Sequence, residues 1–120
     1  MANKIIATNR KAYHNYHILK KYESGIVLLG SEVKSARQGG LSIKEAYIRF
    51  IKNEIFAIGM NIAEYSHQGY TPHDPQRVKK LLLNKKEMMD VRESIDQKGH
   101  TIVPTSVYLK NGKIKVEFGI

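Results

Sequence analysis

The chain contains no cysteine, and that single absence closes three chemistries at once: disulfide stapling, thiol catalysis and cysteine-ligated zinc. Long apolar runs are missing as well. The longest aliphatic stretches, Ile26 to Leu29 and Leu81 to Leu83, fall far short of the roughly 20 residues that cross a bilayer as a helix. The opening Met1-Ala2-Asn3-Lys4-Ile5-Ile6 lacks the apolar centre and small-residue cleavage site of a secretory signal, so a cytoplasmic setting is expected. No repeat, low-complexity tract or Pro/Gly/Ser linker divides the 120 residues, which predicts one domain over 1–120. Acidic residues are in short supply. Eleven Asp and Glu face twenty Lys and Arg, a formal charge of +9, and such an excess suits a polyanionic partner.

What is present reads mainly as strand. Tyr16, Ile18, Lys20 and Tyr22 alternate with His17, Leu19 and Lys21 at a period of two, the signature of a half-buried strand. Further strands are predicted at about Gly25 to Leu29, Tyr47 to Ile51 and Ile55 to Ile62. Near the carboxyl end, Ile102 to Leu109 and Lys113 to Phe118 flank Asn111-Gly112, a pair that accepts the positive dihedrals of a tight hairpin turn. Between the two strand sets the punctuation is helical. Asp74 is placed to cap a helix beginning at Pro75, with Val78, Leu81 and Leu82 as its apolar stripe. Asn84-Lys85-Lys86-Glu87 then has capping-box spacing, Met88, Val91 and Ile95 recur at helical intervals, and Gly99 stands at a carboxyl-terminal cap. The predicted fold is therefore mainly β: an OB-fold-like Greek-key β-barrel with two to three short flanking α-helices.

Catalytic and metal-binding patterns are weak. His14 and His17 are three apart, and on a strand such positions face opposite ways, so they cannot share a metal. His73-Asp74 resembles a base with its orienting carboxylate, but a capping role suits Asp74 better. Gly39-Gly40 is followed by no Gly-Lys-Ser/Thr, so it reads as a turn rather than a phosphate loop. Glu32, Glu45, Glu54 and Glu64 are scattered and read as solvated surface. No metal, cofactor or catalytic residue is predicted.

The cations, by contrast, fall in blocks. Lys4, Arg10, Lys11, Lys20 and Lys21 precede the first acidic residue, interleaved with Tyr13, His14, Tyr16, His17 and Tyr22, and cations mixed with stacking surfaces suit RNA. Arg77, Lys79, Lys80, Lys85 and Lys86 form a second block without an anion, whereas ordinary helices alternate sign more often.

Several strings, in order along almost the whole chain, resemble one family. They are Asn9-Arg10-Lys11-Ala12 with His14 and Tyr16; Glu23-Ser24-Gly25-Ile26; Gly30-Ser31-Glu32-Val33-Lys34-Ser35 with Arg37 and Gly39; Asp74-Pro75 with Arg77, then Lys80-Leu81-Leu82-Leu83; and Gly99, Thr101, Val103-Pro104, Tyr108 and Lys115-Val116. This pattern is similar to that of the SmpB family of SsrA-binding proteins. The resemblance implies a non-enzymatic protein that binds the tRNA-like domain of transfer-messenger RNA. It further implies partnership with the decoding region of the small ribosomal subunit, and with translation elongation factor Tu through the RNA, in the rescue of stalled ribosomes by trans-translation. A monomer is the default.

By the same resemblance, Asn9, Glu23 and Leu82 are RNA contacts, Lys11, Arg37, Arg77, Lys80 and Lys115 meet phosphates or bases, and His14 faces ribosomal RNA. Two departures are mild, Ser24 where alanine is usual and Ala36 where leucine is common. A larger one is that members continue past the position of Gly119 with a long basic tail. The resemblance implies that the 120 residues bind the RNA without supporting tagging. The competing expectation is a general structured-RNA-binding barrel or ribosomal protein.

Overall fold

The computed structural model describes residues 4–65 and 73–120. Among them are the strands β1 (Lys4–Thr8), β2 (Lys21–Ile26), β3 (Leu41–Ser42), β4 (Tyr47–Ile51), β5 (Glu54–Ile58), β6 (Asn61–Ile62), β7 (Lys79–Leu82), β8 (Val103–Lys110) and β9 (Lys113–Gly119). The helices are α1 (Arg10–Asn15), α2 (Gly30–Arg37) and α3 (Lys85–Lys98). Seven strands form one antiparallel sheet in the order β1-β8-β9-β2-β7-β5-β4, and β3 pairs with β6. The sheet curls until edge strand β4 comes against β8, giving the barrel-like, mainly β architecture that the alternating patterns predict.

Alternation decides which side of each strand faces the core. In β9, Ile114, Val116 and Phe118 are buried; in β5, Ile55 and Ala57 are. They join Tyr22, Ile48, Leu81, Val91 and Val107 in one contiguous cluster, in which the rings of Tyr22 and Phe118 stack at 5.5 Å. Helix α3 carries Val91 into this core, and its punctuation is as expected: Asn84 Oδ1 accepts from the Glu87 amide at 2.8 Å, and Gly99 closes the helix at φ 67°. At the β8–β9 turn, Asn111 and Gly112 both take positive φ, 53° and 77°, the conformation for which this dipeptide is suited.

The region after Asp74 differs from its sequence pattern. No helix starts at Pro75. Asp74 instead caps a turn, its Oδ1 accepting from the Gln76 amide at 2.9 Å, and residues 79–82 form β7 between β2 and β5. A short apolar run does not by itself distinguish helix from strand, and here ladder partners on both sides decide it. The outcome is alternation, with Lys79 and Leu81 inward and Lys80 and Leu82 outward.

Other boundaries also move. The strand expected from Tyr16 joins the ladder only at Lys21, opposite Gly119, because residues 10–15 turn as α1. His14 therefore sits in the last turn of a helix, not on a strand. The stretch Ile55 to Ile62 divides into β5 and β6 at Gly59, whose φ is +77°. Strand β1 and helix α2 have no counterpart in the pattern reading. Of the two family departures, buried Ser24 satisfies its hydroxyl on the Val116 carbonyl at 3.1 Å, and Ala36 is fully buried.

Candidate nucleic-acid interface

Directly opposed residues in an antiparallel ladder share a face, so the register alone defines an outer row across five strands. Leu82 of β7 is opposite Gly25 of β2, Gly25 opposite Lys115 of β9, Lys115 opposite Tyr108 of β8, and Tyr108 opposite Ile5 of β1. Leu82 is 50% exposed. Lys115 stands at the centre of the row, and beside it is Gly25, where a Cβ would meet the Leu82 Cβ at 3.4 Å. A glycine inside a strand leaves the backbone open to close approach by a ligand.

Glu23, two residues along β2 from Gly25, lies on the same face. Its carboxylate accepts a short hydrogen bond from the Tyr108 hydroxyl, and Lys110 Nζ lies 3.3 Å from each oxygen. The Tyr108 hydroxyl, more than either lysine, holds the carboxyl below its ordinary range; Lys110 and Lys115 add to the effect. Burial, reinforced by Glu23, raises the Tyr108 phenol. An ionised, oriented acceptor thus stands between cations.

The remaining expected residues separate. Lys80 projects on the Leu82 side of β7 and is ion-paired with Glu54. Lys11 lines a cleft with Asn15, Tyr16 and Lys44, away from the Glu23 row; His14 is exposed on α1, and Arg37 is exposed at the end of α2. Asn9 is buried rather than presented: its amide side chain donates to the Pro104 carbonyl at 3.2 Å, and its backbone N–H to Thr105 at 2.9 Å, tying the start of α1 to β8.

The second basic block does not form one surface. Arg77 grips Glu32, donating from Nη2 to Oε1 at 2.6 Å and from Nε to Oε2 at 2.9 Å. Its remaining donors reach the carbonyls of Val27 and Val78. Lys79 is fully buried, its Nζ donating to Met60 O at 2.7 Å and Pro75 O at 3.3 Å, and burial lowers its pKa.

Glu32, expected on the surface, is 0% exposed. Burial alone would raise its pKa, but Arg77 and the Leu29 amide, which donates at 2.7 Å, outweigh this and leave it lowered. The position of Glu32 two residues after Gly30, early in α2, was the available signal. Tyr108 and Lys110 as partners of Glu23 had none, because strand register is not written in composition. His73 is also structural: Nδ1 meets Ser31 Oγ at 2.8 Å and Nε2 meets the Ile62 carbonyl at 2.9 Å. Among the described residues no three His, Cys, Asp or Glu are grouped as metal ligands, and no helix is long and apolar enough to cross a membrane.

A curled antiparallel sheet presenting cations, an oriented carboxylate and exposed apolar side chains around a bare glycine defines a nucleic-acid-binding β-domain. Comparison with known proteins narrows this. The chain belongs to the SmpB family, whose model, described as "SmpB protein", matches residues 6–120. It is 48% identical over 120 residues to the SsrA-binding protein of Persephonella marina, covering all of this chain and 79% of that one. Identity is 50% over 117 residues to the SsrA-binding protein of Solidesulfovibrio magneticus, covering 98% and 76%. A chain of the solved structure "tmRNA-SmpB: a journey to the center of the bacterial ribosome" superposes with a TM-score of 0.74 at 41% identity, covering 93% of this chain and 79% of that one.

Proposed function

We propose that this protein binds the tRNA-like domain of transfer-messenger RNA and carries it to stalled ribosomes for trans-translation, acting by recognition without covalent chemistry. The observation that carries the reading is the outer row of the sheet, where Glu23, fixed by Tyr108, lies beside Lys115, Gly25 and Leu82. Carboxylates do not bind phosphates. An oriented one inside a chain of charge +9 suits the donor edge of a base, with neighbouring cations holding the backbone. Exposed Leu82 suits the face of an unstacked base. Family membership and the likeness to a tmRNA-SmpB structure support the same partner.

In this reading Lys11, Lys80, Arg37 and Lys115 contact RNA, and His14 on α1 faces the small-subunit decoding region. Asn9, which is buried, fixes α1 to β8, and Arg77, which is partly exposed, fixes the approach to β7. Elongation factor Tu is met through the RNA, and the protein acts as a single-domain monomer in the cytoplasm. Competition binding near physiological salt tests this. The tRNA-like domain of transfer-messenger RNA is expected to displace ordinary tRNA, and Glu23→Ala to remove most of that preference; equal affinity for the two RNAs refutes the assignment.

A further inference from the structure

On the same sheet face, β1, β8, β9 and α1 enclose a cleft of about 350 Å³, toward the lower end of the roughly 300–1,000 Å³ usual for small-molecule sites. Tyr13 and Ile5 line it and are 48% and 65% exposed, more apolar surface than the fold requires at these positions. Tyr108 lines it too and stands opposite Ile5 in the β1–β8 ladder. The polar lining includes Ser106 and Glu117. Glu117 Oε1 accepts from Thr105 Oγ1 at 2.8 Å and lies 3.6 Å from Lys21 Nζ. Among the described residues Oε2 accepts no hydrogen bond. The Lys21 ammonium also stands over the Tyr13 ring, 4.9 Å from its centroid.

One feature of this cleft departs from the usual pairing preference of a sheet. Glu117 is directly opposite Glu23 in the β2–β9 ladder, a like-charge pairing that sheets disfavour and that here is offset by Lys21 and Lys110. A local rule broken on an exposed face, beside an open aromatic cleft, is where a binding requirement is expected to override the preference of the fold. The chemistry of the lining identifies that requirement. An aromatic and an aliphatic wall suit a flat ring. An ionised carboxylate is an acceptor only, so it selects rings with adjacent N–H donors. Lys21 supplies a cation at the mouth for a phosphate.

We propose that the cleft between Tyr13, Ile5 and Glu117 is a subsite for one unstacked nucleobase of the bound RNA, with guanine preferred. The ring lies against Tyr13, and Glu117 accepts from the guanine N1–H and N2–H groups. Uracil offers two carbonyl oxygens and one N–H at the same edge and is disfavoured. The proposal rests on the RNA-binding reading above and adds a second carboxylate reader, Glu117, to Glu23.

Two measurements on the full 120-residue chain keep the readings apart. In the first, ¹⁵N-labelled protein is titrated with guanosine 5′-monophosphate and with uridine 5′-monophosphate, following the amides of Tyr13, Ser106 and Glu117. The guanine nucleotide is expected to shift these amides at concentrations about tenfold lower, one good base-edge contact being of that order. Glu117→Gln, which keeps an oxygen for Thr105, should abolish the preference, and Tyr13→Phe should retain it. The amide spectrum of each variant reports that it is folded. In the second, Tyr13→Ala is expected to weaken binding of the tRNA-like domain about tenfold, the size of one lost stack. Its salt dependence should be unchanged, because no phosphate contact is removed. Equal response to both nucleotides, or a Tyr13→Ala chain that binds the RNA as tightly as the unaltered one, overturns the subsite and leaves the RNA-binding reading standing. Failure of the unaltered chain to bind the RNA, with guanine selectivity intact at these amides, refutes that reading and keeps the cleft.

Discussion

The Arg77 guanidinium forms a two-pronged clasp on the Glu32 carboxylate, at 2.6 Å and 2.9 Å, and Glu32 has no solvent exposure. Through this clasp the start of α2 is tied to the turn that leads into β7. Removing one member of a buried pair strands the other's charge, so Arg77→Ala should cost about 3–5 kcal/mol in urea unfolding at neutral pH. The double change Arg77→Met with Glu32→Gln should recover much of it. A loss below about 1 kcal/mol for Arg77→Ala would show that the clasp is dispensable.

The same pair sets a pH dependence. Glu32 titrates lower in the folded chain than in the unfolded one. The clasp's stabilisation is therefore complete above the unfolded carboxyl value, about 4.3, and is lost as pH falls through the depressed folded value. In Arg77→Ala burial is opposed only by the Leu29 amide and Lys79, so the folded carboxyl titrates higher than it does beside Arg77. The stability gap between the two proteins should narrow as pH is lowered from 7 towards 4, as read by urea midpoints at each pH; a constant gap would contradict it.

Tyr108→Phe removes the hydroxyl that contributes most to holding Glu23 low. The Glu23 carboxyl, followed by ¹³C NMR through a pH titration, should move upward in this variant, and less so in Lys110→Ala. An unmoved titration would mean that the phenol does not orient the carboxylate.

Salt dependence separates surface cations from structural ones. If Lys115 meets a phosphate, Lys115→Ala should weaken RNA binding and reduce the slope of log affinity against log salt by about 1. Lys79→Met, whose Nζ is turned to the carbonyls of Met60 and Pro75, should destabilise the fold by about 1–3 kcal/mol and leave the slope alone. A slope change for Lys79→Met and none for Lys115→Ala would invert the assignment.

Glycine positions give a paired test of backbone geometry. Gly39 and Gly59 both have positive φ, +88° and +77°. A Cβ at Gly39 would meet nothing within 4 Å, whereas at Gly59 it would lie 2.7 Å from the Glu45 carbonyl oxygen. Gly39→Ala should cost only the left-handed strain, about 1–2 kcal/mol, and Gly59→Ala clearly more in the same thermal or urea assay. Equal costs would indicate that the 45–46 backbone yields freely.

These cases show why some of the fold was legible and some was not. Local rules carried the Asn84 cap, the Gly99 stop and the Asn111-Gly112 turn, because each is satisfied within a few residues. They failed at 79–82, where the decision belonged to Gly25, Ile26, Phe56 and Ala57, strand partners distant in sequence. The interface divides in the same way. Motif resemblance singled out Glu23, Leu82 and Lys115, which do share the outer face. It gave no warning that Asn9 and Arg77 are buried or engaged, nor that Glu117 stands opposite Glu23, because a charge's surroundings depend on register.

The register also dictates an order of events. Among the described residues β1 pairs with β8 alone, and β2 lies between β7 and β9, so β1 has no ladder partner until residues 103–110 are made, whereas β2 can pair earlier with β7. A nascent copy leaving the exit tunnel can join β2, β7, β5 and β4 before β8 and β9 emerge, but it cannot yet seat β1. Residues 4–8 must wait, unpaired and available to chaperones, until β8 emerges.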